Sequence, residues 1–221
     1  MHRTNVRFDH HANDRPAATQ LEQFLVAKRT PHVVAARITD TPEYLAIERE
    51  YGMRTAERSG VPLVRHIDEG LAVLQRIGAP DAAMRAYCVH PLVQDDAAYA
   101  ANAERVTALT SCHVFALALE YRRTANATLS TRQFGSSADI PLSPMPEVNQ
   151  MLVADKVQNR KDFLLHHRGR HARSDELDRY FRLWLDRLGV SDIQFAELFE
   201  DLQVVASPTR LADTCEGDVA P

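Results

Sequence analysis

The sequence has little cysteine, no long apolar run and no excess of positive charge. Its three cysteines, Cys88, Cys112 and Cys215, are odd in number and irregularly spaced, which disfavours a disulfide framework and favours a reducing, cytoplasmic location. No apolar run approaches the ~20 residues that span a bilayer, so we expect no membrane partner. The polar start lacks the apolar core of a secretory signal. A net charge of -4 disfavours nucleic acid as a partner.

What remains is the composition of an ordinary folded protein. Of the 221 residues, 45% are hydrophobic and 25% charged, and apolar residues recur at helical intervals with no clear strand pattern. We therefore predict an all-α protein with seven or eight helices. A polar N-terminal arm, residues 1–17, precedes a single helical domain over residues 18–206. Residues 207–221 turn polar and acidic, which predicts a flexible tail.

Proline, glycine and capping residues predict where the helices begin and end. A helix is expected to start at Thr41-Pro42 and to run to Gly60. Residues 131–147 contain Gly, three Pro and several Ser, which predicts one long loop. Two C-terminal helices, 176–188 and 193–205, carry long apolar faces. Those faces either pack internally or form a homodimer.

Three helices carry polar residues where the pattern calls for apolar ones. His66 lies on an apolar helical stripe, His90 follows a buried-looking run, and so does Asp155. Asn159 lies four residues after Asp155, on the same helix face. Desolvating a carboxylate costs several kcal/mol unless it is compensated, so Asp155 implies a partner. The two histidines fit that role, either directly or through a metal that accepts nitrogen and oxygen ligands.

A purely structural explanation fits the same residues. A single histidine on an apolar helix is more often a satisfied core residue than a metal ligand. Asp155 has three cationic candidates for an ion pair, namely Arg85, Arg122 and Lys156. Asn159 could cap or cross-link helices instead of binding a ligand. Spacing alone leaves both explanations open.

Two segments carry a resemblance to a known family. GVPLVRHIDEGLAVLQRIGAPDAAMRAYCVHPLVQDD, residues 60–96, places its second histidine 24 residues after the first, and MLVADKVQNRKDF, residues 151–163, contains an Ala-Asp-Lys-x-x-Asn motif. Together they resemble the HD superfamily of phosphohydrolases, and most of all the hydrolase domain of RelA/SpoT-type enzymes, which act on the alarmone (p)ppGpp. The resemblance spans roughly residues 43–165. It implies an HD-domain-like helical bundle with an additional C-terminal helical hairpin.

The resemblance also implies a site. His66, His90 and Asp155 would hold a divalent metal, with Mn as the first expectation and Fe or Zn as alternatives. Gln94 or Asp95 would position the attacking water as catalytic residues. The partner would be a nucleotide or another phosphorylated small molecule.

Four further residues are expected to bind that substrate. Asn159 would meet the nucleotide near its sugar, by the same resemblance. Lys156 and Arg160 flank the Asp155 helix face and are predicted to reach phosphates, with a solvated face as the alternative. Arg122 is predicted to face the pocket, with an ion pair between helices as the alternative.

Two departures from the family pattern bear on activity. Pro91 stands where the family has the metal-binding Asp after the second histidine, and proline offers no side-chain ligand. Gln94 stands where the family has an acid, and an amide cannot act as a general base. The sequence therefore leaves two hypotheses. One is a metal-dependent phosphohydrolase acting on a nucleotide (pyro)phosphate; the other is an inactive, degenerate HD domain that binds a nucleotide or a protein.

Overall fold

The computed structural model describes residues 38–57, 59–127, 135–170 and 172–206. The predicted arm and tail, together with the predicted start of the domain, lie outside the described residues. Within those ranges the backbone is helical and has no strand, only an isolated bridge between Thr55 and Pro62. The all-α prediction is therefore confirmed for this part of the chain.

Eight α-helices follow one another in the described ranges. They are α1 Pro42–Tyr51, α2 Val64–Arg76, α3 Asp81–Val89, α4 Asp96–Leu109, α5 Cys112–Asn126, α6 Pro146–Asp162, α7 Ser174–Arg187 and α8 Asp192–Ala206. Short 3-10 helices at His90–Val93 and Ser137–Asp139 and a π-helical segment at Phe163–His167 lie between them. None of the helices described is both long and apolar enough to cross a membrane.

The first helix begins as predicted but ends nine residues earlier than expected. Thr41 caps it, its side-chain oxygen accepting a hydrogen bond from the Tyr44 backbone N–H. The predicted end at Gly60 is wrong because the helix stops at Tyr51. Gly52 adopts a φ of 50°, a left-handed conformation that glycine takes without steric cost and that terminates the helix.

Helix α6 occupies the centre of the bundle. It packs against α2, α3, α5, α7 and α8. Every side chain from residue 151 to residue 158 is buried, including the polar Asp155, Lys156 and Gln158. A helix that is buried on all sides must satisfy its polar groups within the protein, so these three residues must find their partners inside the bundle.

The two C-terminal helices bury their apolar faces within the same chain. On α7, Trp184 and Leu185 are buried, and on α8, Phe195, Leu198 and Leu202 are buried. Both helices contact α6. Internal packing, one of the two predicted alternatives, therefore accounts for these apolar faces, and the homodimer stays a prediction.

Candidate metal centre

Three separate elements bring His66, His90 and Asp155 together. His66 lies in the first turn of α2, His90 begins the 3-10 helix after α3, and Asp155 lies in the middle of α6. One potential ligand atom from each residue lies within 4.8 Å of the others. The Nε2 atom of His66 is 3.7 Å from Oδ1 of Asp155. The residues that the sequence predicted as a set thus share one neighbourhood.

Aromatic rings enclose the second histidine. His90 is only 4% exposed, and its ring lies between those of Tyr87 and Tyr121, at centroid distances of 4.7 and 4.6 Å. Pro91 lies at the start of the 3-10 helix, where its missing N–H breaks no helical hydrogen bond. The chain therefore turns tightly after α3 and leaves the imidazole inside the bundle.

The hydrogen bond of His90 determines which of its nitrogens is free. Its Nδ1 atom lies 2.6 Å from the backbone carbonyl oxygen of Tyr87, which can only accept, so Nδ1 carries the hydrogen and Nε2 has the free lone pair. Burial, aided by nearby His66, lowers the pKa of His90 to about 3. A neutral imidazole with a free Nε2 is the form that binds a metal.

His66 is held in the same way by a side chain. Its Nδ1 atom lies 2.7 Å from Oε1 of Gln158 on α6. Its Nε2 atom lies 3.3 Å from the Tyr87 hydroxyl as well as near Asp155. The side chain is 23% exposed, so the group of three opens to solvent at His66.

Asp155 is an ionised carboxylate with partners on both oxygens. Oδ2 accepts a hydrogen bond from Lys156 Nζ at 2.8 Å, and Oδ1 accepts one from Asn159 Nδ2 at 2.8 Å. Burial raises the pKa of Asp155, but the positive charge of Lys156 outweighs that effect, and the pKa falls to about 2. Of the three predicted cationic partners, Lys156 is the one that contacts Asp155 in the structure.

The remaining basic residues of the predicted site join helices to one another. Arg122 pairs with Asp96 and lies over the ring of Tyr99, linking α5 to α4. Arg160 lies 4.2 Å above the centroid of the Phe195 ring and pairs with Asp192, linking α6 to α8. Arg122 therefore forms the ion pair between helices that was the alternative to a pocket-facing position. Arg160 makes a similar contact between helices.

The two predicted catalytic residues also have structural partners. Gln94 donates from Nε2 to Oδ1 of Asn126 at 2.9 Å, and Asn126 donates back to the Gln94 carbonyl at 2.8 Å. Asp95 caps α4, accepting a hydrogen bond from the Ala98 N–H at 2.7 Å. Neither contact joins these residues to the three predicted ligands, and their role in positioning water stays a prediction.

Sequence reasoning missed the side chains that surround the candidate ligands. Tyr87 is fully buried, and its ring lies directly over Gly70 of α2, where a Cβ atom would come within 2.1 Å of it. Glycine inside a helix costs about 1 kcal/mol relative to alanine, so Gly70, one turn after His66, was a signal of close approach. Gln158 and Tyr121 gave no comparable signal, because a glutamine or tyrosine within a helix points to no particular partner.

The separations within the group suit a metal ion. Metal–nitrogen and metal–oxygen bonds of about 2.1 Å place ligands on opposite sides of an octahedral ion about 4.2 Å apart. The potential ligand atoms of His66, His90 and Asp155 all lie within 4.8 Å of one another. The longest distance between two of them therefore exceeds ~4.2 Å by at most about 0.6 Å, a shift that side chains can accommodate. Two imidazoles and one ionised carboxylate are also the donor types that Mn, Fe and Zn accept.

Comparison of the chain with protein-family models, with curated proteins and with solved structures finds no match. The predicted likeness to HD phosphohydrolases therefore stays a prediction from the sequence motifs around His66, His90 and Asp155. The geometry defines a class of site independently of that likeness. It is a buried group of two imidazoles and one carboxylate inside a helical bundle, open to solvent at one edge.

Proposed function

We propose that this chain is an HD-like, metal-dependent phosphohydrolase acting on a nucleotide (pyro)phosphate such as an alarmone. His66, His90 and Asp155 would hold one divalent ion, with Mn expected first and Fe or Zn as alternatives. The observation that carries the proposal is the convergence of these three side chains from separate elements. One potential ligand atom of each lies within 4.8 Å of the others.

A bound divalent ion would polarise a phosphoryl oxygen and lower the pKa of a coordinated water. Three protein ligands leave coordination positions open for both groups. The exposed edge of His66 gives the side from which a phosphate can approach. Lys156 and Asn159 keep the Asp155 carboxylate ionised and fixed, so it offers a lone pair without reorganisation.

A second candidate function is a binding module without chemistry. Its support is that Lys156 already balances the charge of Asp155, so the pocket is electrostatically complete without a metal. Pro91 adds no ligand, and the side chain of Gln94 is held by Asn126. Under this candidate the chain is a degenerate HD domain that binds a nucleotide or a protein partner.

Thermal stability with an alarmone separates the two candidates. A guanosine nucleotide carrying a 3′-pyrophosphate is added with Mn²⁺ or with a chelator, and released pyrophosphate is measured in parallel. A ligand at 100 times its Kd stabilises the fold by about 2.7 kcal/mol, which a melting curve detects. The enzyme predicts stabilisation and pyrophosphate release that both require Mn²⁺.

Matched aspartate variants sharpen the result. Asp155→Asn should abolish both effects, whereas the same change at Asp201, an exposed residue of α8 that pairs with Arg76, should abolish neither. The binding module predicts equal stabilisation with chelator and no release. No stabilisation under either condition would contradict both candidates for this nucleotide class.

A further inference from the structure

Gln158 is a buried amide at the contact between α6 and α2. It is 1% exposed and makes three side-chain hydrogen bonds. Its Oε1 atom lies 2.7 Å from Nδ1 of His66. Its Nε2 atom donates to Oδ2 of Asp162 at 2.7 Å and to Oε2 of Glu69 at 3.2 Å. All the hydrogen-bonding atoms of this amide are thus engaged.

The two carboxylates determine which way the amide faces. Ionised carboxylates only accept hydrogen bonds, so the NH₂ group of Gln158 must face Glu69 and Asp162. The amide oxygen must then face His66, and this oxygen can only accept. Nδ1 of His66 therefore carries the hydrogen, and its Nε2 lone pair faces the candidate metal position beside Asp155.

Cations in turn hold the two carboxylates. Lys161 is almost fully buried, and its ammonium group contacts Glu69 and lies 3.1 Å from Oδ1 of Asp162. Arg65 lies 3.7 Å from Glu69. Because these charges are balanced inside the protein, the carboxylates remain acceptors and the amide cannot turn over without losing both of its donor contacts.

We propose that Gln158 is a positioning residue that sets the tautomer and the ring orientation of His66, with Glu69 and Asp162 as its anchors. The inference rests on the proposed metal site, because the tautomer matters only if His66 binds a metal. The tautomer itself, however, is a property of the metal-free protein. It can be measured whether or not the proposed function holds.

Nitrogen NMR of the histidine rings in metal-free protein tests the proposal. At about pH 8, where a free imidazole is neutral, the wild-type protein should show His66 protonated on Nδ1. Gln158→Met keeps the length of the side chain and removes its hydrogen bonds, so His66 should shift towards the Nε2-protonated tautomer. His90 is bonded to a backbone carbonyl and should not change, which makes it an internal control.

Mn²⁺ titration gives the second readout. Loss of a group that orients a metal-binding histidine typically weakens affinity 10–100-fold, and we expect about that loss in Gln158→Met. Gln150→Met, the same change two turns earlier on α6 at a half-buried position, should leave both the tautomer and the affinity unchanged.

Three results would each refute either the role of Gln158 or the proposed function. A wild-type His66 protonated on Nε2 would refute the assignment without any variant, so the proposal can fail even if Gln158→Met does not fold. An unchanged tautomer together with unchanged Mn²⁺ affinity in Gln158→Met would refute the positioning role. The expected tautomer change in a protein that binds no metal would support the role of Gln158 and contradict the proposed function.

Discussion

Replacing Gly70 with alanine tests how closely α2 approaches the ring of Tyr87. The added Cβ would lie 2.1 Å from Cε1 of Tyr87 and 2.3 Å from its hydroxyl oxygen, whereas ordinary contacts begin at 3.4 Å. The ring must therefore move by more than 1 Å. Tyr87 has no exposed surface, and its hydroxyl lies 3.3 Å from His66, so this movement disturbs both the core and the site.

The expected loss of stability follows from three contributions. Forcing atoms into a filled core costs about 1–3 kcal/mol, and an overlap above 1 Å places Gly70→Ala at the upper end. Losing the hydrogen bond between Tyr87 and His66 costs about 1 kcal/mol more. Alanine recovers about 1 kcal/mol through its better helix propensity. We expect the free energy of unfolding to fall by about 3 kcal/mol.

Urea denaturation of two backgrounds provides the assay. In the wild-type background Gly70→Ala should lower the free energy of unfolding by about 3 kcal/mol. In a Tyr87→Leu background the ring is gone, and the same change should be neutral or stabilise by up to about 1 kcal/mol. A stabilising effect of Gly70→Ala in the wild-type background would refute the packing of Tyr87 on this glycine.

Three further variants test separate features of the molecule. Lys161→Met leaves the buried Glu69 carboxylate without its closest cation, so urea denaturation should show a loss of about 3 kcal/mol. Glu120→Gln removes a carboxylate whose pKa is lowered to about 2, mainly by its hydrogen bond to Arg123. Because that folded-state pKa lies below the ordinary value of 4.5, the stability difference from wild type should be complete above about pH 5 and should vanish as the pH falls towards 2. Pro91→Asp introduces a carboxylate next to the buried imidazole and, if that carboxylate binds the ion, should tighten Mn²⁺ binding about 10-fold or more by calorimetry.

Each of these variants has an outcome that counts against the reasoning. A Lys161→Met protein within about 0.5 kcal/mol of wild type would mean that Glu69 does not depend on that cation. A pH-independent difference for Glu120→Gln would contradict the lowered pKa. Unchanged Mn²⁺ affinity in Pro91→Asp would count against an HD-like placement of the ligands.

The helices were predictable because their signals are local. Thr41 caps α1 and Ser191 accepts from the Gln194 N–H at the start of α8, as expected of capping residues. The end of α1 was missed because a single glycine within a helical pattern either is tolerated or ends the helix, and the left-handed conformation of Gly52 shows that it ends α1. Local patterns therefore located the elements better than their ends.

The candidate site was predictable only in part. His66, His90 and Asp155 stood out because a polar residue in an apolar run needs a partner. The direction of a basic side chain carries no such signal, and Arg122 and Arg160 were predicted to face a ligand although both contact neighbouring helices. Likewise, the contact of Gln158 with His66 joins residues 92 positions apart and depends on how α6 lies against α2.

The metal content of the protein after equilibration with Mn²⁺ and removal of free ion tests the metal centre. We expect one ion per wild-type chain. His66→Ala should retain none, whereas His113→Ala, a matched change at an exposed histidine of α5, should retain one. A wild-type chain that retains no ion, or a His66→Ala chain that retains a full one, would contradict the metal centre.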